Sequence, residues 1–289
     1  MHTVILGAGT MGRDIAHVCA VAGHEVTLRD VDPDVLADAT AHVESNLAGG
    51  VERGKLTGDE RDAALARLET ATDLDAAAGA DLAVEAVPEE LDLKHAVLSE
   101  AESIVDGDAL IATNTSSLAV TSVTDCLADP TRGVGLHFFN PAYIMGLVEV
   151  VLGERTSEET RKRAEGLVAD LGKEAVTVTD TPGFASSRLG VALGCEAMRM
   201  VESGVASTAD IDAAMELGYR HPTGPLELTD MVGLDVRLDI LKYLREELGE
   251  RFRPPQVLKR KVRAGQLGRK TGEGFYVWED GEAVRPAGE

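Results

Sequence analysis

Residues 3–12 read Thr-Val-Ile-Leu-Gly-Ala-Gly-Thr-Met-Gly. The stretch begins with a short run of apolar and β-branched residues, which is the pattern of a buried parallel strand. Glycines then follow with the spacing G-x-G-x-x-G, and the residues up to Gly23 place apolar side chains at helical spacing. A strand, a glycine-rich turn and a helix in this order predict the first unit of a doubly wound α/β fold of the Rossmann type.

The glycine-rich turn also predicts a dinucleotide site. Gly7 permits a tight turn, Gly9 lets a pyrophosphate approach the backbone, and Gly12 lets the helix pack on the strand. The amides of the first helical turn, at Thr10 and Met11, would bind the phosphates. In a chain with 30 glycines such a motif by itself could be an ordinary turn, and the strand and helix on either side favour the nucleotide site.

A second strand, residues 25–30, ends in an acid. Asp30 follows Gly12 at the distance where the Rossmann pattern places the carboxylate that binds the ribose hydroxyls of NAD. This carboxylate would repel the 2′-phosphate of NADP, so we expect NAD as the cofactor. The neighbouring Arg29 weakens that preference slightly.

Composition excludes several classes of protein. The 289 residues are 44% hydrophobic, enough for one large or two modest domains, and no apolar run is long enough for a transmembrane helix. The first strand begins by Thr3, and we therefore expect no signal peptide. Three separated cysteines predict free thiols in a cytoplasmic protein, and no cysteine–histidine spacing predicts a metal site.

The net charge of −22 predicts that neither nucleic acid nor an anionic membrane is a partner. An acidic surface stays hydrated and soluble where salt screens its self-repulsion, so the charge favours a high-salt cytoplasm. A disordered acidic chain is the competing interpretation. It is disfavoured because the acids alternate with periodic apolar positions.

Strands and helices alternate up to about residue 180, and only helices are expected beyond it. Thr181-Pro182-Gly183 forms a natural hinge between the two parts. We therefore predict a Rossmann domain over residues 1–181 and an all-helical domain over residues 182–289, for substrate binding and dimerisation. The predicted strands are residues 3–6, 25–30, 81–87, 109–114, 134–139, 147–152 and 175–179. The predicted helices are residues 11–23, 32–54, 59–68, 90–105, 157–171, 184–202, 208–217, 226–247 and 255–264.

Polar residues follow the later strands. Asn114-Thr115-Ser116-Ser117 comes after one strand, and His137-Phe138-Phe139-Asn140-Pro141 comes after the next. Ligands of doubly wound sheets bind at the carboxyl ends of the strands. A histidine there can take a proton from a substrate hydroxyl, and Glu149, in the next strand, can stabilise the imidazolium. Glu149 lies in an apolar run, where a buried carboxylate needs a partner.

Taken together, these segments resemble the L-3-hydroxyacyl-CoA dehydrogenase family over nearly the whole chain. The resemblance rests on the glycine-rich start, residues 85–94, N-T-S-S, H-F-F-N-P, D-T-P-G-F at 180–184, H-P-T-G-P at 221–225 and G-R-K-T-G-E-G-F-Y at 268–276. It implies NAD-dependent oxidation of an L-3-hydroxyacyl-CoA, an acyl-CoA substrate of short chain, and a homodimer.

The resemblance also implies residue roles. His137 would be the catalytic base with Glu149 as its partner, and Ser116 would hydrogen-bond the 3-oxygen of the substrate. Beyond the glycine-rich turn and Asp30, contacts with NAD are implied for Glu89, Lys94, Ser116, Asn140 and Lys270. Contacts with CoA or the acyl group are implied for Asn46, Arg53, Ser116 and Ser187. Each of these residues could instead have an ordinary structural role. His137 could be a core histidine and Glu149 an exposed strand acid. The serines and asparagines could be turn or cap residues, and the other charged residues could be solvated charges on helices and loops.

Two departures from the family leave the substrate open. Ser187 stands where the family usually has Asn. Gly146 replaces a common Lys, and the sequence around it is similar to the corresponding sequence of relatives that oxidise gulonate or carnitine. The first alternative is therefore an NAD-dependent dehydrogenase of a small hydroxy acid without CoA. A β-hydroxyacid dehydrogenase is disfavoured because no catalytic Lys stands at the ligand end of the sheet. A non-catalytic NAD-binding protein is disfavoured by the intact pair of His137 and Glu149.

Overall fold

The computed structural model describes residues 1–288, which divide into two compact units. The first unit is Met1–Thr181, and the second begins at Pro182. Strands of the first unit are β1 His2–Leu6, β2 Glu25–Arg29, β3 Leu68–Ala71, β4 Leu82–Glu85, β5 Leu110–Thr113, β6 Gly133–Phe138, β7 Leu147–Leu152 and β8 Glu174–Thr179. Its helices are α1 Thr10–Val21, α2 Pro33–Glu52, α3 Gly58–Ala66, α4 Leu91–Glu102, α5 Val120–Thr124 and α6 Glu158–Asp170.

The strands form one eight-stranded sheet in the order β3-β2-β1-β4-β5-β6-β7-β8. Six strands, β1 to β6, run parallel, as the doubly wound fold requires. β7 pairs antiparallel with β6, and β8 runs parallel to β7. β7 is antiparallel to β6 because the connection between them, residues 139–146, is too short to hold a crossover helix. A parallel pair would need such a helix to bring the chain back to the other end of the sheet.

The inner strands of the sheet are buried on both faces, which confirms the doubly wound fold. Val4 and Leu6 pack in one apolar cluster, whereas Ile5, between them in the sequence, packs in another with residues of α1 and α2. Successive side chains of a strand point to opposite faces, so a strand covered on both sides has a continuous apolar sequence. This is why the run Thr3–Leu6 shows no alternation of polar and apolar residues.

The second unit is helical, and it also contains a two-stranded hairpin. Its elements are α7 Ser186–Glu202, α8 Thr208–Tyr219, α9 Pro225–Val232, α10 Leu234–Leu248, α11 Gln256–Arg263, β9 Tyr276–Glu279 and β10 Glu282–Pro286. The sequence pattern did not reveal the hairpin, although Asp280-Gly281 is a strong signal for its turn. Both residues have positive φ, at 50° and 85°.

Other differences from the predicted elements are local. The single helix expected over residues 226–247 is wrong: it is two helices, because Gly233 between them adopts a φ of 108° that ends α9. The short elements β3 and α5 were not foreseen. Among the described residues, no helix combines the length and apolarity needed to cross a bilayer.

Candidate functional site

The glycine-rich turn forms an open cradle at the start of α1. Gly7 has a φ of 105°, and a Cβ there would lie 2.8 Å from the carbonyl oxygen of Ala86. A Cβ on Gly12 would collide with the carbonyl oxygen of Gly7, whereas one on Gly9 would meet no atom within 4 Å. Since α1 begins at Thr10 without a side-chain cap, the amides of its first turn border this open space. The arrangement fits a pyrophosphate.

Asp30 lies at the edge of the same cradle. Its Oδ2 accepts a hydrogen bond of 2.8 Å from the amide of Ala8, and its Oδ1 accepts one of 3.1 Å from the amide of Asp32. These two bonds hold the carboxylate against the turn at the carboxyl end of β2. The position suits an acceptor for ribose hydroxyls.

His137 and Glu149 form a buried pair across β6 and β7. The two residues are direct partners in the antiparallel register, and His137 Nδ1 lies 2.8 Å from Glu149 Oε2. Their side chains are 8% and 1% exposed. Donation from Nδ1–H to the carboxylate fixes the ring tautomer, so Nε2 is the basic nitrogen of the neutral imidazole. The pair has the chemistry of a general base with an orienting carboxylate.

Glu89 organises the N-T-S-S segment that follows β5. Its Oε1 accepts hydrogen bonds from the Thr115 hydroxyl at 2.6 Å, from the Ser116 amide at 3.0 Å, and from both the amide and the hydroxyl of Ser117. Burial would raise the pKa of Glu89, but the charge of Lys94 and the bonds from Thr115 and Ser117 lower it to about 2. The carboxylate is therefore ionised at neutral pH, and Ser116 is an exposed residue on a loop held by its backbone.

Lys94 is buried, so the alternative of a solvated helix charge is wrong for this residue. Its side chain is 1% exposed, and its Nζ lies 2.7 Å from Glu85 Oε1 and 3.1 Å from Glu89 Oε2. Glu85, fully buried at the end of β4, also accepts a 2.6 Å bond from the Thr113 hydroxyl of β5. This network joins the ends of two neighbouring strands beneath the Ser116 loop.

Two residues for which the sequence suggested no role hold the loops of the site. Asn114 Oδ1 accepts a bond of 2.9 Å from the amide of Phe138, which ties the end of β5 to the residue after His137. Asp180 accepts bonds from the amides of Val120 and Thr121 and thereby caps α5. α5 begins after Ala119 with no side-chain cap of its own, so neither Ser116 nor Ser117 caps it. An Asn or Asp at a strand end, beside a motif, was the available signal for both.

The remaining predicted residues lie in different parts of the chain. Asn140 is exposed just after β6, and Asn46 and Arg53 lie on α2 and at its C-terminal end. Ser187 is a half-buried residue of α7 in the second unit. Lys270, also in the second unit, forms a 2.6 Å ion pair with Asp235 at the start of α10. Within residues 1–288 no cluster of three or more His, Cys, Asp or Glu side chains could hold a metal ion.

The three cysteines are unpaired thiols, and two of them are buried. Cys19 and Cys195 are enclosed, whereas Cys126 is only half-buried. Burial raises the pKa of the Cys19 thiol to about 12, so this thiol is inert at neutral pH.

Comparison with known proteins places these features in a family. Residues 2–181 match the model of the 3-hydroxyacyl-CoA dehydrogenase NAD-binding domain, and residues 183–278 match that of the C-terminal domain of the same family. A probable 3-hydroxybutyryl-CoA dehydrogenase of Deinococcus radiodurans is 40% identical, over 95% of this chain and 99% of that protein. The 3-hydroxybutyryl-CoA dehydrogenase of Bradyrhizobium diazoefficiens is 38% identical, over 97% and 96%. The crystal structure of (S)-3-hydroxybutyryl-CoA dehydrogenase from Ralstonia eutropha superposes with a TM-score of 0.92 at 39% identity, covering 96% of this chain and 99% of that one.

Proposed function

The chain belongs to the 3-hydroxyacyl-CoA dehydrogenase family, and we propose that His137, Glu149 and Ser116 are its catalytic residues. Its reaction is the reversible, NAD-dependent oxidation of an L-3-hydroxyacyl-CoA to the 3-ketoacyl-CoA. The observation that supports the residue roles is the buried contact of 2.8 Å between His137 Nδ1 and Glu149 Oε2. It orients the ring and leaves Nε2 as the nitrogen that can take a proton.

The chemistry of the step follows from this geometry. His137 Nε2 takes the proton of the 3-hydroxyl group as the C3–H bond breaks, and the hydroxyl carbon becomes a carbonyl. NAD, when bound, supplies the acceptor for the hydride that leaves C3. Glu149 stabilises the imidazolium that forms, because a carboxylate in a buried site interacts strongly with a neighbouring cation. Ser116 donates its hydroxyl hydrogen bond to the 3-oxygen and orients it.

Cofactor binding is assigned to the first unit. The cradle of Gly7, Gly9, Thr10, Met11 and Gly12 would hold the pyrophosphate, and Asp30 would accept from the ribose hydroxyls. On the nicotinamide side we propose Glu89, Lys94, Ser116 and Asn140. Lys270, in the second unit, stays a prediction from the family resemblance. For Glu89 and Lys94 we propose an indirect role, since their ion pair holds the loop that bears Ser116.

The substrate is proposed to be a short-chain 3-hydroxyacyl-CoA, with Asn46, Arg53 and Ser187 as binding residues. The support is that relatives near 40% identity are named for 3-hydroxybutyryl-CoA. We further propose a homodimer formed through the second unit. Several of its large apolar side chains are exposed, among them Leu189, Leu217 and Tyr219, at 72%, 84% and 76%.

A cytoplasmic location at high salt is proposed as well. It is supported by the three free thiols and by the net charge of −22. Thiols persist in reducing compartments, and an acidic surface tolerates concentrated salt because counterions screen its self-repulsion.

One experiment tests the catalytic assignment. Oxidation of NADH is followed with acetoacetyl-CoA in concentrated KCl, for the wild type and for His137→Gln. We expect the substitution to lower kcat by at least about 100-fold, the usual scale of a lost general base, with NADH binding unchanged. Near-normal turnover of the variant would show that His137 is not the base. A wild type that turns over gulonate or carnitine but not acetoacetyl-CoA would instead overturn the substrate.

A further inference from the structure

A cation lies on the apolar face of α10, in the second unit. The core residues of this face are Leu234, Leu238, Leu241 and Leu244. Arg237 stands among them, one turn after Leu234, and it is 7% exposed. A charge is costly to bury unless an opposite charge or hydrogen bonds compensate it, and a leucine at this position would continue the core.

The guanidinium of Arg237 has no partner within residues 1–288. It forms no salt bridge there, and its nitrogens form no hydrogen bond. The acid two residues before it, Asp235, pairs with Lys270, and the acid two residues after it, Asp239, pairs with Lys242. Burial lowers the pKa of Arg237 to about 10 with no charged neighbour to offset the effect, so the group is still a cation at neutral pH. A buried cation without a counterion is typical of a site that receives an anion from outside the chain.

The guanidinium faces α7 at a position that has no side chain. A Cβ added to Gly190 would lie 3.9 Å from Nη1 of Arg237, and no other neighbouring group among the described residues would come within 4 Å of it. At the next turn α7 is closed, because a Cβ on Gly194 would lie 2.8 Å from Thr229 Oγ1 of α9. The surface of α7 therefore leaves open space beside Arg237 for about one turn. The Nε of Arg237 is enclosed, so the two terminal nitrogens are the ones that a ligand can reach.

This open turn follows a residue that we propose to bind substrate. Ser187 precedes Gly190 by three residues, so the two lie about 4.5 Å apart along the axis of α7 and within about 60° of each other around it. Both residues are half-buried. An acyl chain that contacts Ser187 and continues along α7 for the length of a few methylene groups reaches the guanidinium of Arg237.

We propose that Arg237 binds a carboxylate at the far end of the acyl chain, so that the substrate is the CoA thioester of a 3-hydroxydicarboxylic acid. The inference rests on the proposed function and narrows its substrate class. The two terminal nitrogens of a planar guanidinium match the two oxygens of a carboxylate, and both bonds are charge-assisted. The apolar side chains around Arg237 strengthen this pairing, because little water remains there to screen it. A chain of equal length that ends in a methyl group leaves the cation unpaired.

Rates of NAD reduction with two pairs of L-3-hydroxyacyl-CoA substrates test the proposal. The members of a pair have acyl chains of equal length, one ending in a methyl group and the other in a carboxylate. The pairs are 3-hydroxypentanoyl-CoA with 3-hydroxyglutaryl-CoA, and 3-hydroxyhexanoyl-CoA with 3-hydroxyadipyl-CoA. All are measured at one KCl concentration, so that chloride competes equally. For the wild type we expect kcat/KM to favour the carboxylate by about tenfold or more in at least one pair, the scale of a charge-assisted hydrogen bond.

The variant Arg237→Met should abolish this preference. We expect KM for the favoured carboxylate substrate to rise by about 10- to 100-fold, because the anion would then face an apolar side chain. The ratio of kcat/KM within the pair should fall to one or below. Arg237→Lys keeps the charge without the planar pair of donors, so it should retain part of the preference, and it replaces the methionine variant if that variant does not fold. The matched control is Arg253→Met, which removes an exposed cation of the same unit and should leave the ratio unchanged.

Two results would overturn the proposal. One is a wild type that shows no preference for the carboxylate in either pair. The other is a preference that Arg237→Met leaves intact, and a shift of that variant to a smaller oligomer would then assign the guanidinium to a carboxylate of a second copy of the chain. Failure of the proposed function is distinct from both, because the wild type would then turn over none of the four thioesters.

Discussion

The carboxylate of Glu149 offers the sharpest test of how the site works, through the substitution Glu149→Gln. Glutamine keeps the size of the side chain and can still accept from His137 Nδ1, so the change removes the negative charge and little else. The side chain is 1% exposed and lies 2.8 Å from the ring, so solvent screens the pair weakly.

The magnitude follows from the kind of bond that is lost. A hydrogen bond to a charged group contributes about 1.5–3 kcal/mol, and about 1.4 kcal/mol corresponds to a factor of ten. Because the imidazolium forms only as the proton moves, this loss falls on the transition state and not on substrate binding. We expect kcat for the oxidation of L-3-hydroxybutyryl-CoA to fall by about 10- to 150-fold, with KM for that substrate and the dissociation constant of NADH within about twofold.

The assay is single-turnover and steady-state reduction of NAD with L-3-hydroxybutyryl-CoA, the direction in which His137 acts as the base, because single-turnover rates separate chemistry from product release. The matched control is Glu174→Gln, which changes an exposed glutamate on the adjacent strand β8 and should leave every rate unchanged. A single-turnover rate within about threefold of the wild type would refute the role of the charge. A loss of NADH binding that parallels the loss of rate would refute it too, since it would indicate collapse of the site.

Four further outcomes are expected. Because Asp30 repels a 2′-phosphate, kcat/KM with NAD should exceed that with NADP by at least about tenfold, and equal values would remove Asp30 from the ribose site. The pKa of Glu89 is about 2 in the folded protein, against an ordinary value of 4.5. Its charge therefore stabilises the fold fully above pH 4.5, and this contribution is lost as the pH falls through about 2. The difference in urea stability between the wild type and Glu89→Gln should therefore shrink across that range, and a constant difference would contradict the ion pair with Lys94. With a net charge of −22, the melting temperature should rise as KCl increases into the molar range, and a flat or falling curve would remove the high-salt interpretation. Ser187→Asn should keep or raise kcat on acetoacetyl-CoA because a longer amide can replace a bridging water, whereas impaired turnover would indicate a pocket shaped for a different substrate.

The sequence by itself determined the features that depend on residues close together in the chain, namely the strands, helices and turns and the motifs they carry. Between Thr3 and Gly23, the spacing of apolar residues specifies a strand and a helix, and the conformational freedom of the glycines specifies the turn between them. The Rossmann start and the open cradle at Gly9 could therefore be predicted. The seven predicted strands of the first unit all exist. The inner strands could be predicted because a strand buried on both faces leaves a continuous apolar run, and the exposed edge strand β8 because its β-branched residues favour a strand. The family could be inferred because several motifs occur together in one order.

Only the tertiary structure decided which side chains meet. His137 and Glu149 face each other because β6 and β7 are antiparallel and in a particular register, and a shift of one residue would turn Glu149 to the other face. Lys94 has the sequence context of a solvated helix charge, yet it is buried because it pairs with Glu85, at the end of β4, and with Glu89, in the turn before α4. Asp14 and His42 lie on different helices, and their contact depends on how α1 packs beside α2. Contacts of this kind depend on strand register and on how separate elements pack against each other, and the spacing of residues in the sequence does not record them.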